Sequence, residues 1–144
     1  MKKFLILFSL FVIILNSCSD NDNSIINEAC SFNSEIIAEN DFNGINTSNY
    51  LISDVQLNND CLEITINSSG CNASLWEMNL FSTNAFYNIY PLQRSVKIEL
   101  INNQDCLAVF QKTISFNLMP FQIKGQNQLT LNIEGWNEQI IYKY

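Results

Sequence analysis

The stretch SVKIELI, residues 95–101, decides the fold class of this chain. Its apolar residues Val96, Ile98 and Leu100 alternate with polar and charged residues, so successive side chains fall on opposite sides with a period of two. This is the period of a β-strand that buries one face and exposes the other to water. The stretch therefore predicts a strand with three aliphatic side chains in a core.

The same alternation recurs along the chain in short runs separated by turn-forming Asn, Asp, Gly and Ser, and the pair Ile36-Ile37 indicates a further short strand. The run 106–118 breaks phase, because Val109 and Ile114 have opposite parity, which predicts a bulge or a sheet-switching bend near residues 111 and 112. About seven strands with this spacing predict an all-β fold, an immunoglobulin-like antiparallel β-sandwich. The runs lie at 51–57, 61–67, 75–82, 95–101, 106–118, 129–134 and 138–144.

The N-terminal segment has the layout of a signal peptide. Two lysines precede an apolar run at residues 4–15, which as a helix is about 18 Å long and too short for a membrane core of about 30 Å. The sequence LNSC that ends at Cys18 resembles the lipobox of bacterial lipoproteins. The resemblance implies cleavage after Ser17 and lipidation of Cys18 with chains such as palmitate. An ordinary secreted protein cleaved near Ser17 is the alternative.

The residues that follow Cys18 are small and polar, which predicts a flexible tether. The predicted organisation is a signal peptide at 1–17, a tether at 18–29 and a single β-sandwich domain at 30–144. In its lipobox, acidic and polar tether and one β domain with paired cysteines, the chain resembles small uncharacterised envelope lipoproteins of Bacteroidota. The resemblance implies anchoring to the outer membrane through the N-terminal lipid, on its periplasmic or its outer face.

Four further cysteines, Cys30, Cys61, Cys71 and Cys106, lie in the predicted domain. An even number of cysteines in an exported protein favours disulfides, and the chain has neither the His nor the CxxC spacing that zinc sites use. If the strands at Cys61 and Cys106 are antiparallel neighbours, Cys71 comes close to Cys106, and Cys30 then pairs with Cys61. The other two pairings of four cysteines stay open.

Residue types narrow the function classes. With 14 acidic and 7 basic side chains the formal net charge is −7, which disfavours nucleic acid as a partner. The absence of His removes the Ser-His-Asp and Cys-His arrangements and the usual zinc hydrolase sites. Four glycines without a G-x-S-x-G elbow or a phosphate-binding loop disfavour nucleotide chemistry. We expect no cofactor and no metal.

A carboxylate pair remains as a possible chemistry, since two carboxylates serve as acid and base in glycosidases. The available residues are Asp54, Glu63, Glu77 and Glu99, all at outward strand positions where solvated charges normally lie. An envelope hydrolase is therefore an alternative and not the leading hypothesis.

The segment 134–138 is the feature most typical of a binding site. Trp136 lies at a predicted hairpin tip between Glu134 and Glu138, where an indole can stack on a sugar ring or anchor a protein partner. The alternative is that Trp136 folds back and caps the edge of the sandwich.

The segment 86–91 is a second aromatic loop, with Tyr87 and Tyr90, and core packing is again its alternative. The leading hypothesis is a non-enzymatic binding or accessory module with a protein or glycan ligand at a loop end. A carboxylate-dependent hydrolase and an inhibitor or immunity protein against a secreted enzyme are the alternatives.

Overall fold

A computed structural model describes residues 30–87 and 89–144, and the predicted signal peptide, Cys18 and the predicted tether lie outside these residues. Within them, no helix is long and apolar enough to span a membrane. The helical segments are one short α-helix, α1, Glu39–Gly44, and two 3₁₀ turns, Ala73–Leu75 and Met119–Phe121. The strands are β1 Phe32–Asn33, β2 Glu35–Ile37, β3 Leu51–Asn58, β4 Cys61–Ser69, β5 Glu77–Thr83, β6 Gln93–Ile101, β7 Val109–Asn117, β8 Gln128–Ile133 and β9 Ile140–Lys143.

These strands form two sheets, so the predicted all-β sandwich is confirmed. One sheet has the order β1-β7-β4-β3 and the other has the order β2-β5-β6-β8-β9. The described residues contain nine strands, because the segment 30–37 supplies a short edge strand to each sheet. The short strand indicated at Ile36-Ile37 is β2, whereas β1 was not predicted.

The prediction of purely antiparallel sheets is wrong, because both sheets also contain parallel pairs. β6 and β8 pair in parallel because the chain crosses to the other sheet for β7 and then returns in its former direction. β1 and β2 also pair in parallel, with β7 and β5 respectively.

The stretch 95–101 lies in β6, in the middle of the five-stranded sheet, and has the predicted alternation. Val96, Ile98 and Leu100 are buried between the sheets, while Lys97 and Glu99 occupy the intervening positions. β4 and β8 supply the same kind of inner face, so the core is continuous along the sandwich. Its largest fully buried side chains are Tyr142, Phe116, Phe121, Leu62, Ile64, Ile66, Leu80, Ile98, Leu118, Leu129, Leu131 and Val96.

The predicted bulge or sheet-switching bend near residues 111 and 112 is wrong. β7 pairs with β4 residue by residue along its whole length, without a register shift. The break in phase arises because Leu107 and Val109 are apolar but exposed, so their parity does not report on the core. The register shift occurs instead in β3, between Ile52 and Asp54.

Each end of the sandwich carries one disulfide. Cys61 begins β4 opposite the last residue of β7 and is bonded to Cys30. We call this end of the sandwich the Cys30 end. The bond between Cys71 and Cys106 follows the other end of β4, which we call the Cys71 end. These are the predicted pairs, and they form because β4 and β7 are antiparallel neighbours.

The Cys71 end is closed by a tight contact around Gly70. The Gln104 side-chain oxygen accepts hydrogen bonds from the backbone amides of Cys71 and Asn72, at 2.5 and 2.8 Å. A Cβ on Gly70 would lie 2.8 Å from that oxygen and 3.0 Å from the Trp76 indole nitrogen. Only glycine leaves room there for the indole, which is buried in the core.

Candidate binding surfaces

The hairpin between β5 and β6 projects at the Cys30 end. Its arms are joined by backbone hydrogen bonds between Tyr87 and Gln93, at 2.9 Å and 3.4 Å. At its base, the Arg94 guanidinium donates to the carbonyl oxygen of Thr83. The tip is therefore held at two levels by hydrogen bonds between its arms.

This hairpin tip exposes four large apolar side chains. Phe86, Tyr87, Ile89 and Tyr90 are 43, 60, 55 and 86% exposed, and we call these four residues the aromatic tip. Tyr90 precedes Pro91 through a cis peptide bond. The predicted aromatic loop is thus at the surface, which favours an interaction surface over core packing for Tyr87 and Tyr90.

Arg94 lies beneath the aromatic tip and is only 5% exposed. Its guanidinium carbon is 5.9 Å from the centre of the Phe121 ring, within the range of a cation–π contact. Burial lowers the pKa of Arg94, since water stabilises the charged form less well there. Arg94 ties the tip to the 3₁₀ turn Met119–Phe121.

The hairpin between β8 and β9, which we call the Trp136 hairpin, has a different environment. Trp136 is half-buried and packs against the core, and its indole nitrogen is buried without a hydrogen-bond partner among the described residues. Gly135 has a φ of 85°, and a Cβ placed there would lie 3.8 Å from the end of the Ile52 side chain on β3. The hairpin thus leans on the facing sheet, and ligand binding by Trp136 stays a prediction.

The two carboxylates beside Trp136 differ in their contacts. Glu134 accepts a hydrogen bond from the Thr47 hydroxyl at 2.5 Å and forms an ion pair with Lys97 at 3.4 Å. Lys97 also lies 5.0 Å from the centre of the Phe42 ring of α1. Glu134 therefore joins the α1–β3 connection to the five-stranded sheet, while Glu138 is exposed.

The structure does not bring the two predicted aromatic sites together. β6 and β8 run in parallel, with Gln93 beside Thr130 and Val96 beside Ile133. The aromatic tip precedes β6, whereas the Trp136 hairpin follows β8. The two sites are therefore separated by at least the six residues of β8, about 20 Å of extended chain.

A cavity between the sheet edges was not predicted from the sequence. It has a volume of about 400 Å³ and opens on the side where the short strands β1 and β2 leave most of β7 and β5 uncovered. The Lys112 ammonium lies there and donates to the carbonyl oxygen of Trp76. A lysine at an inward position between Phe110 and Ile114 was the available signal. The lining includes Phe32, Trp76, Met78, Lys112 and Ile114.

The four carboxylates of the hydrolase hypothesis are divided between the two sheets. Asp54 and Glu63 lie on β3 and β4, and Glu77 and Glu99 lie on β5 and β6. Glu99 accepts a hydrogen bond from Asn79 at 3.1 Å, and Asp54 accepts one from Gln56 at 2.8 Å, both from side chains of the same sheet. Within each sheet the two carboxylates lie on the same outer face, and their use as a glycosidase acid and base stays a prediction.

Two buried tyrosines have shifted pKa values. The Tyr142 hydroxyl donates to Asp60 and accepts from the Gln122 amide at 2.7 Å, at the Cys30 end. The Tyr50 hydroxyl donates to the carbonyl oxygen of Ile98 at 2.8 Å. Burial raises the pKa of both phenols, because it disfavours the phenolate. Both side chains act as structural hydrogen-bond donors.

In residues 30–87 and 89–144, no three His, Cys, Asp or Glu side chains are arranged to hold a metal ion. The chain matches no protein-family model and no curated protein. Two solved structures from Bacteroidales share its fold.

One is a protein of unknown function, DUF1344, from Bacteroides vulgatus, with 13% identity and a TM-score of 0.53. The other is a protein described as toxin-related from Parabacteroides distasonis, with 15% identity and a TM-score of 0.50. Each match covers 78% of this chain, but only 56% and 59% of the respective neighbour. At these identities the likeness concerns the fold alone.

Proposed function

We propose that this chain is a lipid-anchored module of the bacterial cell envelope, held by Cys18, which binds a partner through its aromatic tip and performs no catalysis. The observation that carries this proposal is the joint exposure of Phe86, Tyr87, Ile89 and Tyr90 on one hairpin. Apolar side chains clustered at the surface of an otherwise acidic chain mark an interaction site.

The scaffold supports a binding function. A disulfide closes each end, and hydrogen bonds between Tyr87 and Gln93 join the arms that carry the aromatic tip. Binding residues are commonly found on loops that a rigid sandwich positions in this way. The anchor itself is supported by the lipobox resemblance at residues 15–18.

An inhibitor or immunity protein is the second candidate function. The observation that favours it is the shared fold with a protein described as toxin-related. Because the likeness concerns the fold alone, this candidate ranks behind a general accessory module. It would be supported if the partner of the tip proved to be a secreted enzyme.

Photo-crosslinking of the full chain tests this function. The photoreactive residue benzoyl-phenylalanine replaces Tyr90 in one variant and Leu107 in its control, in a bacterium that processes lipoproteins. Leu107 is a matched control because it is 90% exposed but lies at the Cys71 end. We expect covalent adducts at position 90 well in excess of position 107, and equal yields would contradict the proposed use of the tip.

The anchor is tested separately by metabolic labelling with a palmitate analogue. The native chain should take up the label and sediment with membranes, and Cys18→Ser should do neither. A Cys18→Ser chain that keeps the label and stays in the membrane fraction would contradict the lipid anchor.

A further inference from the structure

The aromatic tip lies at the end of the sandwich where the chain enters the fold. Cys30, the first described residue, is bonded to Cys61 at the start of β4. The residue before Cys61, Asp60, accepts a hydrogen bond from Tyr142, which pairs with Leu129 near the start of β8. β6 begins beside β8 at this same end, and the aromatic tip directly precedes β6.

The length of chain before Cys30 restricts which end lies near the anchor. The polar composition of residues 18–29 predicts random-coil behaviour, for which about twelve residues have a mean span of about 20 Å. A strand of nine residues such as β6 is about 30 Å long. The Cys30 end is therefore held close to the anchor, and the Cys71 end lies about one strand length farther along the chain path.

The chemistry of the tip fits the interface of a lipid bilayer. Phe86 and Ile89 are wholly apolar, while Tyr87 and Tyr90 combine an apolar ring with a hydroxyl that can stay hydrated. Tyrosine is enriched at the headgroup level of membranes for this reason. Met119, in the 3₁₀ turn whose Phe121 contacts Arg94, is also exposed.

Tethering makes even a weak contact of this kind effective. A short linker holds the tip at a high local concentration relative to the surface that carries the anchor. The chain is acidic, so attraction to anionic lipids does not supply this contact.

We propose that the aromatic tip rests in the headgroup region of the membrane to which Cys18 is attached, so that the partner of the tip is the lipid surface itself. This inference rests on the proposed function and specifies its binding partner. It orients the sandwich with the Cys30 end toward the membrane and the Cys71 end away from it.

Fluorescence quenching by brominated lipids tests this orientation. The full lipidated chain is purified from membranes and reconstituted into phosphatidylcholine vesicles that contain phosphatidylcholine brominated near the headgroup. The variants are Tyr90→Trp at the aromatic tip and Leu107→Trp at the Cys71 end, which share the same background from Trp76 and Trp136. We expect brominated lipid to remove a large part of the added emission of Tyr90→Trp and none of that of Leu107→Trp, equally at low and high salt.

The outcomes separate the inference from the function on which it rests. Anchored Tyr90→Trp that is unquenched by brominated lipid but quenched by aqueous iodide would overturn the lipid contact, leave the anchor intact and favour a protein or glycan partner. Equal quenching of the two variants would overturn the orientation. A wild-type chain that neither carries an acyl group nor associates with the vesicles would overturn the anchor, and the inference with it.

Discussion

The two hairpins that join strands of the five-stranded sheet carry similar aromatic residues but present them in opposite ways. The β5–β6 hairpin extends at the Cys30 end and exposes Tyr87 and Tyr90. The Trp136 hairpin leans toward Ile52 of the facing sheet, so its indole is half-buried. Contact with the facing sheet therefore decides whether the aromatic residue of a hairpin is exposed or packed.

The two hairpins lie at opposite ends of the sandwich, and removal of the disulfide at each end has the largest expected effect on stability. We expect Cys30→Ser/Cys61→Ser and Cys71→Ser/Cys106→Ser each to lower the free energy of unfolding by about 4 kcal/mol, because the bonds span similar sequence separations of 31 and 35 residues. Urea denaturation of the two double variants measures the losses.

The same variants distinguish the roles of the two ends. Removal of the Cys30 bond leaves the chain held at the Cys30 end only by the short pairing of β1 with β7, so lipid quenching of Tyr90→Trp should fall in that background under conditions where it is folded. Removal of the Cys71 bond should leave the quenching unchanged.

The stability prediction has its own test. If the losses of the two double-serine variants differed by more than about 2 kcal/mol, the dependence on loop length would be contradicted.

The hairpins themselves can be compared by truncating one aromatic residue in each. Trp136→Ala should cost about 3 kcal/mol, because it removes packing against the core, whereas Tyr90→Ala should change stability by less than about 0.5 kcal/mol. Urea midpoints of the two variants against the native chain check this. Equal losses would mean that the two hairpins contribute alike to folding and that the comparison fails.

Alkaline pH should have the smallest and most local effect on stability, because it acts through two tyrosines with raised pKa values. These are Tyr142, at the Cys30 end, and Tyr50. A raised folded-state pKa means that the native state keeps its proton longer than the unfolded chain. The contribution of these phenols to the free energy of unfolding is therefore fully present below about pH 10. Above that pH it falls by about 1.4 kcal/mol per pH unit for each such tyrosine.

Tyr142→Phe should remove one of the two contributions and make the fall with pH shallower. The measurement is the free energy of unfolding from urea titrations between pH 9 and pH 11. Curves of equal slope for the native chain and the variant would show that Tyr142 does not titrate differently in the two states. Tyr50→Phe serves as the corresponding control for the other phenol.

The alternation of apolar residues predicted most of the fold. In β6 it correctly predicted which three side chains are buried, because a period of two leaves a single choice of face. It failed for 106–118, where Leu107 and Val109 are apolar but exposed, since alternation does not reveal where a strand leaves the core. The edge strands β1 and β2 were too short for a periodic signal.

The candidate site was less predictable than the fold. The sequence marked Tyr87, Tyr90 and Trp136 alike, because each is an aromatic residue near a turn. Their different exposure depends on whether each hairpin contacts the facing sheet, a relation between strands far apart in sequence. The cavity at Lys112 was missed for the same reason, since its two walls come from different sheets.

The parallel pairing of β1 and β2 has a consequence for the order in which the chain can fold. Phe32 pairs with Phe116, and Glu35 pairs with Phe81, so the first strands to be synthesised depend on partners made much later. Contacts between residues so distant in sequence slow folding. In the order of synthesis these strands therefore stay unpaired until β5 and β7 have been made, and the two sheets are completed last on the side where synthesis began.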